Sequence, residues 1–244
     1  MKWITNTDQF AVIDDFLSKE AWEEVHKYME LASYMYVGEA AWNGAWRLDD
    51  GLVMRGPSVV YGNYEPYEAK FPTGTGIDLL IQSMVDHAPQ FTKQLGEMGV
   101  SWEAFTALPM LYPKNTGLYW HRDAPSWAGS YTYYVHREWN VEWGGALLIA
   151  DESVKQISDD YGVFLSPKRS AMGIIGERSF GAHIDNTQAN TFLMQRGIGS
   201  YIMPKPNRLV IISQGNPHSI SKVHHGAGDH LRISISGFFQ RPKG

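Results

Sequence analysis

A chain of 244 residues, 43% hydrophobic and 19% charged, has the balance of a soluble globular protein and room for one well-cored domain rather than two. Its formal net charge of −5 offers no basic surface to nucleic acid or to an acidic membrane. The absence of cysteine excludes disulfides, thiolate metal sites, iron–sulfur clusters and cysteine nucleophiles together, so any transition-metal site must be built from His and carboxylates.

The first thirty residues carry charge throughout and no apolar run long enough for a signal peptide or a membrane span, so a soluble, cytoplasmic protein is expected. Residues 10–13 read as a short strand. A helix follows with Ser18 as its N-cap, and Trp22, Val25, Met29 and Ala32 recur on one face at helical spacing. Residues 35–75 are rich in Gly, Trp, Tyr and Pro and lack a clear period, which reads as strands and loops. Ile77, Leu80, Ile81 and Met84 mark a second helix, stopped near Pro89, with a shorter helical stretch to Gly96.

From about residue 104 the texture changes. Short β-prone runs at 105–112, 118–121, 130–136, 146–149, 208–213 and 231–239 alternate with turn residues. Helices followed by many short strands predict a mainly β (α+β) chain: an antiparallel sandwich or jelly roll braced by N-terminal helices. The chain is read as one domain over 1–244. In it, 1–103 form a helical and strand support, 104–240 form the barrel core, and 151–205 form a long insertion between barrel strands, a candidate lid.

Chemistry concentrates in Leu118-Tyr119-Trp120-His121-Arg122-Asp123. Side chains alternate along a strand, so His121 and Asp123 are expected on one side and Arg122 on the other. A second imidazole from another strand would complete a 2-His-1-carboxylate face, the donor set that leaves open positions on a non-haem iron(II). The best partner is His218, delivered beyond a strongly apolar run by a Gly-Asn-Pro turn. Fourteen residues later stands Arg232 on another apolar strand, with Ser234 on the same face. A buried guanidinium is costly without an anion, and its fork suits a carboxylate.

Order and context set these residues apart from isolated matches. Tyr112, a Gly117 turn and the His121/Asp123 pair come first. A tyrosine-rich strand through Tyr134 and the Gly144-Gly145 strand follow, then Arg208-Leu-Val-Ile-Ile, Pro217-His218 and the late Arg232. Together they resemble the prolyl-4-hydroxylase-like branch of the 2-oxoglutarate/Fe(II)-dependent oxygenases, over most of residues 10–240. The resemblance implies a double-stranded β-helix, His121, Asp123 and His218 as iron ligands and catalytic centre, and O2 and 2-oxoglutarate as co-substrates. It places the distal carboxylate of 2-oxoglutarate on Arg232 and Tyr134, with Tyr112 near it and Ser234 beside the arginine. Related halogenases carry Gly or Ala where Asp123 stands, so hydroxylation of a C–H bond is implied. The gap from His218 to Arg232 is a few residues longer than the family's usual one, so the loop 224–230 is expected to bulge.

Other histidines fit less well. His183 and Asp185 repeat the pair, but too little chain lies between them and His218 for the intervening strands, and they come in the wrong order. His224, His225, Asp229 and His230 sit in a Gly-containing loop that reads as a solvated turn, while His26 and His87 sit in helices and lack partner spacing; His136, near the end of a strand, is expected near the pocket but is not counted among the site residues. A free small molecule of amino-acid or natural-product type is favoured as substrate because the long insertion can close over it. The alternatives are a prolyl-type hydroxylase of peptides or proteins, and a catalytically silent binding barrel.

Overall fold

The computed structural model describes residues 1–37, 48–64, 68–154 and 193–242. Alternating exposure along Lys2–Asn6 marks an edge strand, β1, which pairs antiparallel with the wholly buried β2 (Phe10–Asp14). The Ser18 hydroxyl caps helix α1 (Lys19–Leu31) by accepting from the Ala21 N–H at 3.2 Å. Short strands β3 (Met35–Tyr36), β4 (Met54–Arg55), β5 (Val59–Tyr61) and β6 (Ala69–Lys70) occupy part of the region where the sequence shows no period. Helix α2 (Ile77–Asp86) buries Ile77, Leu80, Ile81 and Met84, the positions its periodicity picks out, and Pro89 lies in a 3-10 turn that leads to α3 (Thr92–Leu95). Among the described residues no helix is long and apolar enough to cross a membrane.

The barrel strands are β7 (Ala104–Tyr112), β8 (Leu118–His121), β9 (Trp127–Tyr134), β10 (Leu147–Ala150), β11 (Gly199–Ile202), β12 (Leu209–Ser213), β13 (His218–Ile220) and β14 (Arg232–Gln240). They form two sheets: a larger one with the path β1-β2-β12-β9-β14-β7-β4-β3, to which β5 and β6 attach, and a smaller one ordered β11-β10-β13-β8. This is the mainly antiparallel jelly roll expected. Three details differ from the sequence reading. Strand β9 is displaced toward the N-terminus, His218 begins a strand of its own, and the end of the 151–205 segment contributes β11 to the smaller sheet. Residues 155–192, which include His183, Asp185 and most of the candidate lid, lie outside the described residues.

The connections fix how the sheets face each other. Tyr112 to Leu118, Tyr134 to Leu147, Ile202 to Leu209 and Ile220 to Arg232 cross between the sheets at one end, which we call the closed end. His121 to Trp127 and Ser213 to His218 cross at the other, the open end. Strand β12 serves both layers. Leu209 and Ile211 pack with Val25, Met29 and Leu80 on the helix side, while Val210 and Ile212 join Leu108, Leu147 and Ile149 between the sheets. Burying each such side chain contributes about 1.5–3 kcal/mol, and two apolar faces make β12 the keel of the molecule.

Candidate metal centre and anion cradle

His121 ends β8 and His218 begins β13, and the two are direct partners in the antiparallel register. Their rings stand 4.4 Å apart. Gly117, at the entry to β8, permits this pairing: a Cβ there would lie 2.7 Å from the Ile220 carbonyl oxygen. Each imidazole sets its Nδ1 against a main-chain carbonyl two residues earlier, Tyr119 at 2.6 Å and Asn216 at 2.9 Å. A carbonyl only accepts, so each Nδ1 carries the proton and each Nε2 presents its lone pair, the tautomer a metal ligand needs.

Asp123 completes the set, though not as expected. Strand β8 stops at His121, so strict alternation does not place the carboxylate; the turn toward β9 does. Its oxygens stand 4.0 Å from His121 Nε2 and 3.8 Å from His218 Nε2. Among the described residues, these three form the one convergent group of potential metal ligands, with all donor atoms within 4.8 Å of one another and the side chains nearly buried. These separations leave room for an ion at about 2–2.5 Å, the bonding range for nitrogen and oxygen ligands. The donor set suits a transition metal with open positions.

Arg232 opens β14 opposite Tyr112 and is completely buried. Its Nε donates to the Gly145 carbonyl at 2.8 Å, and its terminal nitrogens reach Ser234 Oγ at 3.3 Å and Tyr134 OH at 3.4 Å. The rings of Tyr112 and Tyr134 each lie 4.9 Å from the guanidinium carbon. No carboxylate pairs with Arg232 among the described residues. Burial pushes the Tyr112 hydroxyl up to about 12 and raises that of Tyr134, against the lowering pull of Arg232, so both phenols are neutral donors at neutral pH. One permanent charge, two phenols and a hydroxyl therefore form a dry cradle that calls for an anion. Gly145 makes room for it: its φ is +68°, and a Cβ there would meet Arg232 Cδ at 2.9 Å.

The long His218–Arg232 gap is absorbed by a 3-10 turn, His225–Ala227, and Arg232 enters the sheet in register. His224, His225, Asp229 and His230 are exposed on that turn, and the ring of His230 stacks on Trp143 at 4.3 Å. Sequence reasoning puts one further residue near the pocket without its role. His136 is buried with Nε2 2.6 Å from the Pro204 oxygen and Nδ1 3.2 Å from the Ile233 oxygen, bracing the backbone beside Arg232. Burial pushes its pKa down to about 4, so the neutral ring donates only one of these bonds. Nothing in its local sequence marks this role.

No family model matches the chain, and no curated protein matches it. Solved structures do. A prolyl-4-hydroxylase of Pseudomonas putida aligns with TM-score 0.56 and 14% identity over 96% of this chain and 94% of its own. A 2OG-Fe(II) oxygenase-family oxidoreductase of Burkholderia pseudomallei aligns with TM-score 0.57 and 11% identity over 97% and 87%. The chain has the fold of the 2OG-Fe(II) oxygenases. A third structure with that oxygenase fold, a Trichoplax adhaerens prolyl hydroxylase in complex with a hypoxia inducible factor peptide fragment, aligns with TM-score 0.56 and 17% identity over 97% and 85%. The fold that the motifs of His121, Gly145 and Arg232 imply is thus the fold observed.

Proposed function

We propose that the chain is an iron(II)- and 2-oxoglutarate-dependent dioxygenase that hydroxylates an unactivated C–H bond of a small molecule. The observation that carries this reading is the pairing of two features in one barrel: a buried His121/Asp123/His218 triad and, toward the closed end, a buried Arg232 without a counter-anion among the described residues. The triad would hold iron(II). Arg232, Tyr134, Ser234 and Tyr112 would hold the distal carboxylate of 2-oxoglutarate, the fork of the guanidinium matching the two carboxylate oxygens. When bound, iron with 2-oxoglutarate and dioxygen supplies the oxidising power, and 2-oxoglutarate leaves as succinate and carbon dioxide.

The chain's own residues set the geometry. The Nδ1–H bonds of His121 and His218 hold both rings so that the ligand nitrogens face Asp123. Complete burial of Arg232 keeps water from competing for its anion. A silent binding barrel has no use for a metal triad and an anion cradle together. The peptidyl alternative draws on the neighbours described as prolyl hydroxylases, one of them in complex with a peptide fragment.

Loss of either ligand tests the reading. Asp123→Gly and His218→Ala are each expected to abolish succinate formation from 2-oxoglutarate while the chain stays folded. Full succinate production by either variant contradicts the assignment. Screening small molecules and prolyl peptides for stimulated succinate release separates the two substrate classes.

A further inference from the structure

Side chains two apart share a strand face, so Arg232, Ser234, Ser236, Phe238 and Gln240 form one strip on β14. Arg232 and Ser234 are fully buried, whereas Ser236, Phe238 and Gln240 are half-buried, so the strip runs from the closed end toward solvent. On β9, Tyr134, Thr132 and Ser130 stand in register with Ser234, Ser236 and Phe238. The hydroxyls of Thr132 and Ser236 are 3.0 Å apart. Near the open end, Trp127 stacks on Phe238 with ring centroids 3.9 Å apart and planes tilted by 25°.

The register also gives the height of this strip relative to the triad. Arg232 Nε bonds to the Gly145 oxygen and ties the two sheets together at one level. Four residues beyond Gly145, Ile149 is in register with His218. Four residues beyond Arg232, Ser236 is in register with Thr132. Both paths run from the closed end toward the open end, the first as strand from Leu147 and the second as strand throughout. The register therefore puts the hydroxyl pair on the sheet opposite the triad, further toward the open end than the anion cradle. Neighbours on that inner face, Leu108, Val210 and Ile212, are apolar, so each of the two hydroxyls finds its protein partner in the other. Each retains hydrogen-bonding capacity beyond that single bond.

We propose that this strip is the substrate wall. Thr132 and Ser236 take an uncharged hydrogen-bonding group (a hydroxyl, carbonyl or amide) close to the carbon that is oxidised, and the Phe238–Trp127 stack seats a planar ring at the mouth. Above Arg232 the strip carries no charged side chain, so a charged substrate group placed against it would be left unpaired. The stack presents an apolar aromatic face of the kind on which flat rings pack. The proposal deepens the oxygenase reading and rests on it.

The test uses the full chain loaded anaerobically with Fe(II) and 2-oxoglutarate, and titration calorimetry with three probes: 4-hydroxybenzamide, its saturated counterpart 4-hydroxycyclohexanecarboxamide, and a short prolyl peptide. The wild type is expected to bind the aryl amide at least about tenfold more tightly than the saturated one. Thr132→Val combined with Ser236→Ala, and separately Trp127→Phe and Trp127→Ala, are each expected to weaken aryl binding, by about tenfold for the hydroxyl pair. Their 2-oxoglutarate affinity should be unchanged, which also shows that they fold. Variants that bind the aryl amide like the wild type overturn the proposal. So does a loaded wild type that binds none of the probes or prefers the peptide. A wild type that takes up neither iron nor 2-oxoglutarate removes the oxygenase reading itself, and the substrate wall with it.

Discussion

At the scale of single residues, the site is organised by what each polar atom is denied. The two ligand histidines are denied tautomeric freedom, since Tyr119 and Asn216 carbonyls occupy their Nδ1 protons. Arg232 is denied solvent exposure and, among the described residues, a protein carboxylate. A lysine there keeps the charge but loses the planar fork and the stack between Tyr112 and Tyr134. Arg232→Lys is therefore expected to raise the KM for 2-oxoglutarate by about tenfold or more, equivalent to about 1.4 kcal/mol or more, while iron binding is retained. Succinate formation measured against 2-oxoglutarate concentration checks this, and an unchanged KM contradicts the cradle. The donor types at this scale were legible in the sequence, because an imidazole two residues from a carboxylate and an arginine on an apolar strand are chemically conspicuous. The reason Asp123 reaches the site was not legible: alternation along a strand predicts the right side, but a turn delivers the group. The role of His136 was invisible because its partners are backbone oxygens from Pro204 and Ile233, far away in the chain.

At the scale of elements, the N-terminal strand is clamped to the barrel by a small ion cluster. Asp14, at the end of β2, accepts from Arg208 Nε at 2.6 Å and from Lys205 Nζ at 2.7 Å. Burial by itself raises the Asp14 carboxyl, but the hydrogen bonds and charges of Arg208 and Lys205 outweigh it and hold the pKa below the usual 3.8. A depressed folded-state pKa contributes stability above the unfolded value and loses it as pH falls through the folded one. Asp14→Asn is thus expected to cost about 2–3 kcal/mol at pH 7, and the gap from wild type should shrink steadily below about pH 4. Urea unfolding of both proteins at pH 7 and pH 3 measures it; an equal gap at the two values contradicts the linkage. Elements with a long period were legible here: α2 shows four core positions in ten residues, and β12 is apolar from Leu209 to Ile212. Strands of two or three residues, such as β3, β4 and β13, are too short to display alternation, and β11 is an exposed edge with little apolar content.

At the scale of the whole molecule, the jelly roll turns distant sequence into one site. The chain crosses between the sheets at both ends, so β8 and β13 become neighbours although β9 to β12 are threaded between them. The cradle sits toward the closed end and the triad toward the open end, which, on the proposed reading, would give a 2-oxo acid a direction: carboxylate inward, reacting end toward solvent. Fold class and chain order of the motifs could be read from composition and punctuation. The pairing of strands could not, because register is set by contacts between segments remote in sequence. The account depends most on the metal triad and the anion cradle serving one bound pair, and anaerobic titration of the purified chain with Fe(II) and 2-oxoglutarate tests it directly. One iron per chain is predicted, with a weak visible charge-transfer band that appears only when both are present and vanishes in His218→Ala. Iron uptake without that band, or a band that survives loss of His218, would contradict it.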